Sequence, residues 1–259
     1  MKIYPVLFCL FFLFSLPCYS AAAEVEVVTE EWIPYSFTAN GRVVGISTEI
    51  VEQALRRAGI SMAGGRVRLM PWARAYYEAL HKGNTLIYTI LRTPERESLF
   101  KWVGPLVPAD SFYFFRLAAR DDIRLHSLAD ARRYRIGILK ESVHGQFLRR
   151  HGFDAASLDP VSYQYLNMKK LLSGRVDLIV DVERTVRLRA EKLGVPSTKF
   201  VRALFLFRRE YYMAFNRDTP DSLVRKVGRA LETMQKDGSV ERILCRYKGL
   251  TAGEERGGH

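Results

Sequence analysis

The feature that most limits how this chain can fold is its alternation of short Val- and Ile-rich runs with amphipathic segments, several of them closed by a glycine. Glu24–Thr29 alternates apolar and polar residues as a half-buried strand does. After an Asn40-Gly41 turn, Ile50, Val51, Ala54, Leu55 and Ala58 recur at helical spacing behind a Ser47 or Thr48 cap, with Gly59 as the stop. Val67–Met70 reads as a strand, Trp72–Leu80 as a helix closed near Gly83, and Thr85–Ile90 as a buried strand. The second half repeats the theme with a strand at Arg135–Leu139, helices at Val143–Arg150 and Met168–Ser173, a strand at Val176–Val180 and a helix at Val182–Leu193. Phe112–Ala118 and Glu210–Asn216 read as extended, and the residues around Asp159-Pro160 as loop. Helices at Ser222–Lys236 and Ser239–Tyr247 precede a Gly- and charge-rich tail, Thr251–His259, expected to be disordered. The alternation argues for an α/β fold with mostly parallel strands.

The 259 residues allow one large domain or two lobes, and a composition 48% hydrophobic and 26% charged excludes collagen-like, coiled-coil and disordered classes. At the N-terminus, Lys2, an apolar run from Val6 to Leu16, Pro17 and the small residues Ser20–Ala23 form a secretory signal pattern, with cleavage expected after Ala23. The run is shorter than the roughly 20 apolar residues of a membrane span. Cys9 and Cys18 would leave with the signal. Cys245 would remain alone in a helix beside Ile243 and Leu244, where it reads as a packed thiol.

Forty Lys and Arg against 28 Asp and Glu give a net charge of +12, which suggests an anionic partner. The arginine pairs Arg56-Arg57, Arg132-Arg133, Arg149-Arg150 and Arg208-Arg209 are scattered, so nucleic acid is not expected. Five histidines without metal-ligand spacing leave no metal site, and no cofactor motif is present. His144 and His151 read as surface residues.

Three segments stand out, each where a strand's carboxyl end passes into a loop or helix: Glu31–Tyr35, Met70–Tyr76 and Arg92–Glu97. In open α/β sheets those ends form the ligand crevice. Aromatic and arginine residues converging there suit a small, polar, anionic solute.

Taken in order, the motifs resemble the family-3 solute-binding proteins of bacterial ABC importers, the amino-acid-binding type. The resemblance rests on Trp32–Tyr35, Asn40–Ile50, Thr93–Arg96, Trp102–Pro105, Arg135–Ile138, Gly174–Asp181, Asp237–Ile243 and Arg246–Gly249. It implies a two-lobed periplasmic-binding-protein fold of type II, with mixed sheets flanked by helices and two crossing hinge strands. Lobe one would be residues 24–110 and 215–250, lobe two 111–214, with crossings near Ala109–Tyr113 and Tyr211–Phe215.

By the same resemblance, Arg96 would hold a ligand carboxylate and Asp181 an ammonium group. Trp32 would stack on the ligand and Trp72 would form a second wall. Thr89 and Ser142 would offer donors to the carboxylate, Ser142 through both its hydroxyl and its backbone N–H. Arg74 adds a further cation. Glu141, just before Ser142, and Leu91 and Arg92, just before Thr93, depart from the family pattern and favour a more acidic or bulkier solute. The implied function is extracytoplasmic capture of a small amino-acid-like or carboxylated solute by a periplasmic monomer for an ABC permease in the inner membrane, without catalysis or cofactor. Two alternatives share the fold: a cyclohexadienyl-dehydratase-like enzyme using Asp181 or Glu183 as general acid, and a solute sensor docking on a membrane receptor.

Overall fold

In a computed structural model, the structure describes residues 24–251; the expected signal Met1–Ala23 and all but the first residue of the expected tail lie outside them. The strands are β1 (Glu24–Thr29), β2 (Phe37–Ala39), β3 (Arg42–Val44), β4 (Ser61–Met62), β5 (Arg68–Leu69), β6 (Thr85–Leu91), β7 (Phe100–Leu117), β8 (Ile136–Leu139), β9 (Leu158–Val161), β10 (Leu178–Val182) and β11 (Phe200–Asn216). The helices are α1 (Ile46–Arg57), α2 (Trp72–His81), α3 (Pro94–Glu97), α4 (Val143–Arg150), α5 (Tyr165–Leu172), α6 (Glu183–Lys192), α7 (Asp221–Lys236), α8 (Ser239–Arg246) and the short α9 (Lys248–Thr251). Among the described residues, no helix is long and apolar enough to cross a membrane.

Two long strands join two lobes. In β7, Phe100–Val107 pairs antiparallel with Tyr211–Asn216 of β11, and Asp110–Leu117 pairs with Phe200–Arg209. Strand β6 runs antiparallel to the Tyr211–Phe215 end of β11 and parallel to β1, which also carries β4 and β5. At the other end, β10 lies antiparallel to Phe112–Phe115 of β7, followed by β8 and β9 in parallel. The sheet is mixed, and the chain returns through β11 to its first lobe.

Local sequence explains the elements that flank the cleft. Helix α1 buries Ile46, Ile50, Val51, Ala54 and Leu55 on one face, carries Glu49 in its first turn and ends in Arg56 and Arg57, matching the helix dipole. Its N-cap is Gly45 rather than the expected Ser47 or Thr48, both of which are buried inside the first turn. Gly45 has φ 125, and a Cβ there would lie 2.5 Å from the Tyr35 carbonyl oxygen, so glycine alone fits. Cys245 is exposed, in contrast to the packed thiol expected: α8 buries Ser239, Val240 and Ile243, and Cys245 falls on the opposite side of the turn.

Candidate ligand-binding site

Between the lobes lies a cleft of about 460 Å³ when the solvent at its open mouth is included. From lobe one it receives Glu30 and Trp32 after β1, Trp72 at the start of α2, Thr89 and Leu91 from β6, and Arg96 in α3. Lobe two adds Ser142, Val143 and His144 at the start of α4, Gln164 before α5, Asp181 in β10 and Arg189 in α6. Glu30, Trp72, Gln164 and Arg189 also border a wider hollow of about 1000 Å³ that includes the exposed Tyr163 and Tyr165.

Arg96 is only 2% exposed. Its guanidinium carbon lies 5.3 Å from the Trp72 ring centre and 4.8 Å from that of Tyr76, so two aromatic faces one helical turn apart bracket the cation. Nη2 donates to the Glu141 carbonyl at 3.2 Å, a neutral acceptor in the opposite lobe, and Nε has no hydrogen-bond partner. Among the described residues no carboxylate forms an ion pair with Arg96. Burial lowers its pKa to about 10, because the charged form lacks water and the opposing pull of Tyr76, Glu30 and Glu95 does not make up for it.

Thr89 owes its position to a β-bulge. Tyr88 opposes Met213 and Ile90 opposes Tyr212, so Thr89 is the extra residue in β6, and it sits at φ 57. For a β-branched residue that left-handed conformation is strained, and such strain clusters at binding sites. Its buried hydroxyl has no partner. Glu141 likewise has φ 59, which directs its carbonyl to both Arg96 Nη2 and Trp72 Nε1, the latter at 3.0 Å. Its side chain is exposed and does not line the cleft, so its charge is not set against a bound carboxylate.

Asp181 is already paired. Its Oδ2 accepts from Arg189 Nη1 at 2.5 Å and from Gln164 Nε2 at 3.2 Å, and its Oδ1 from the Val182 N–H at 2.8 Å. Burial raises its pKa, opposed by Arg189 and by the hydrogen bonds. The Glu30 carboxyl is raised to about 8, again mainly by burial, with Arg189 pulling it down. His144 is pushed down to about 3 by burial, with Arg96 and Arg189 adding to the shift. The neutral ring accepts the Leu139 N–H through Nε2 at 3.4 Å.

The structure brings Arg96, Asp181, Trp32, Trp72, Ser142 and Thr89 to one cleft. Ser142 differs in role. Its hydroxyl donates to Leu139 O at 2.6 Å and accepts the Gly145 N–H at 3.2 Å, and its N–H also points to Leu139 O. Both donors serve the turn and the α4 cap rather than the cleft. Arg74 lies outside, exposed on α2 and paired with Glu78 at 3.1 Å. Arg92 is also outside, held by Glu97 at 2.5 Å. Glu183 faces Arg202 at 3.3 Å, away from the cleft.

Sequence reading missed Glu30, Gln164 and Arg189, and placed His144 on the surface whereas it is buried in the cleft wall. Arg189 left a trace: on α6 the buried residues Thr185, Val186, Arg189 and Ala190 share one face, so an arginine occupies an apolar position.

Two α/β lobes, two crossing strands and a cleft between them define a periplasmic-binding-protein fold. The chain belongs to the bacterial extracellular solute-binding proteins, family 3, whose model matches residues 25–250. It is 20% identical over 226 residues to the probable amino-acid-binding protein YxeM of Bacillus subtilis (strain 168), covering 85% of this chain and 81% of that protein. Among solved structures it is similar to a histidine kinase sensor domain with similarity to periplasmic binding proteins (TM-score 0.76, 17% identity, 87% of this chain and 96% of the other). It is also similar to an ancestral arginine-binding protein bound to arginine (TM-score 0.75, 20% identity, 87% and 98%). A third similar structure is the arginine-, lysine-, histidine-binding protein ArtJ of Geobacillus stearothermophilus (TM-score 0.74, 16% identity, 90% and 97%).

Proposed function

We propose that this protein captures a small carboxylated solute between its lobes in the periplasm and delivers it to an ABC permease, acting as a monomer and without catalysis. Arg96 takes the carboxylate, Thr89 adds its hydroxyl, and Trp32 and Trp72 wall the solute. Lobe one comprises residues 24–110 and 215–250, and lobe two 111–214, with the signal removed after Ala23.

Arg96 carries this reading. A buried guanidinium without a carboxylate partner costs several kcal/mol, and a solute anion supplies the missing charge through charge-assisted hydrogen bonds. Closure follows if the solute binds the closed state better than the open one.

A thermal-shift screen of small carboxylates tests this. A solute at 100 times its Kd adds about 2.7 kcal/mol of stability. Arg96→Ala is expected to abolish the shift. No stabilising carboxylate, or undiminished binding by the variant, would overturn the reading.

A further inference from the structure

An α-amino acid brings an ammonium group as well as a carboxylate, and the acceptor expected for it is Asp181. That acceptor is occupied. Arg189 reaches back from α6 and holds Asp181 Oδ2 at 2.5 Å, Gln164 shares that oxygen at 3.2 Å, and the Val182 N–H engages Oδ1 at 2.8 Å. Asp181 is 3% exposed and Arg189 6%, so the pair is removed from water and has little reason to open. A ligand ammonium would have to displace Arg189 from its partner and leave two cations beside one carboxylate.

Arg189, by contrast, has donors to spare. Among the described residues its side chain makes one hydrogen bond, from Nη1 to Asp181, and the residue borders both the cleft and the wider hollow. With Arg96 it places two guanidinium groups on one cavity against the single carboxylate of Asp181. Glu30, the remaining acidic residue of the lining, is held near its neutral form by burial, and His144 is neutral. The lining therefore presents hydrogen-bond donors and surplus positive charge where an amino-acid site presents a free acceptor.

We infer that the solute is a carboxylate with a second acceptor group, such as a 2-oxo, 2-hydroxy or further carboxylate oxygen, and no ammonium group, because Arg189 engages Asp181 and lines the cleft with N–H groups beyond the one that Asp181 takes. The inference rests on the proposed carboxylate-binding role. Arg96 anchors one end, and Arg189 with Gln164 reads the second oxygen. Arg189 is thus the residue that selects against amino acids.

Matched sets that differ only at Cα test it by calorimetry on the full mature chain: glutamate, 2-oxoglutarate and 2-hydroxyglutarate; phenylalanine, phenylpyruvate and phenyllactate; alanine, pyruvate and lactate. At least one ammonium-free acid should bind ten times or more tighter than its amino counterpart. Arg189→Gln should narrow or reverse that ratio by freeing Asp181, and Arg189→Lys should restore it in part. An amino acid that binds as tightly as its ammonium-free partner in the wild type overturns this inference and leaves the carboxylate reading standing. Absence of binding by every acid in every set overturns both. The wild-type ranking decides the matter even if a variant fails to fold.

Discussion

Trp32 and Thr185 are joined across the two lobes: the indole N–H donates to Thr185 Oγ1 at 3.2 Å, and that hydroxyl in turn donates to the Ile33 carbonyl at 3.2 Å. Trp32 is fixed from behind by edge contacts with Tyr35, Phe112 and Tyr211, the last at 5.3 Å between ring centres. One hydroxyl on the first turn of α6 therefore serves as both acceptor and donor for the loop after β1. Both bonds exist only while the lobes touch, so they stabilise the closed form relative to the open one.

Thr185→Val keeps the shape and removes both bonds. At about 1 kcal/mol each, their loss should weaken solute affinity up to about thirtyfold. The radius of gyration of the unliganded protein by small-angle scattering should rise as the open form gains population. Unchanged affinity and an unchanged radius would show that these bonds do not set the closure equilibrium.

Arg96 separates stability from binding. In the unliganded protein its charge is buried without a carboxylate and its pKa falls toward 10 from an ordinary value of 12.5. Such a site is destabilising at neutral pH, because the unfolded chain solvates the guanidinium that the folded chain cannot. Arg96→Met should therefore raise the stability of the unliganded protein, by about 1–3 kcal/mol, while eliminating carboxylate binding. A chemical denaturation curve of the solute-free variant checks it. A lower midpoint than wild type would mean that the aromatic bracket of Trp72 and Tyr76 contributes more than the unpaired charge removes.

Much of this was legible in the sequence, and the failures have physical causes. Helix α4 has the bounds its apolar spacing predicts, and the cleft aromatics and Arg96 lie where strand ends were expected to converge. Strand β9 was read as loop because of Asp159-Pro160, but it is the last strand of the sheet, where a proline's missing donor faces no neighbour. Strand β7 starts at Phe100, whereas its sequence reads as extended only from Phe112, and the unread half contains Gly104 and Pro105. Those residues sit in a bulge, between Val103 opposite Met213 and Val107 opposite Tyr211, where ladder bonds are interrupted anyway. The Asp181–Arg189 pair was out of reach, since local spacing does not say which side of α6 covers the end of β10.

Asp110 lies on β7 at the crossing and is fully buried. Its Oδ2 accepts hydroxyl protons from Tyr35 and from Tyr211, the latter at 2.8 Å, and its Oδ1 accepts from Arg184 Nη2 at 2.9 Å. One carboxylate thus ties the loop after β1, the returning strand β11 and helix α6 of the other lobe. Asp110→Asn preserves shape but sets an amide N–H against donors and removes the charge facing Arg184. Stability should fall by about 3 kcal/mol, read as a lower urea midpoint with an unchanged slope. A loss below about 1 kcal/mol would mean that the network rearranges around the amide.

Glu30 gives the protein a specific dependence on pH. Its carboxyl ionises near 4.5 in the unfolded chain and near 8 in the fold, where burial disfavours the charge. Between these values the folded chain keeps a proton that the unfolded chain has released. Stability therefore falls as pH rises through that window and levels off above it. His144 acts at the other end: its folded pKa of about 3, against 6.5 ordinarily, removes stability as pH drops below 6.5. Asp181, also raised, shares the sign of Glu30 but is untouched by a change at that position. Glu30→Gln deletes the ionisation while keeping the shape. The stability of Glu30→Gln relative to wild type should consequently grow from pH 5 to 8, then hold steady, by a few kcal/mol at most, and the difference in Tm should follow it. Melting curves of both proteins without solute, taken at unit steps of pH, check this. Parallel curves across the window would mean that Glu30 ionises normally and reaches water through the mouth of the cleft.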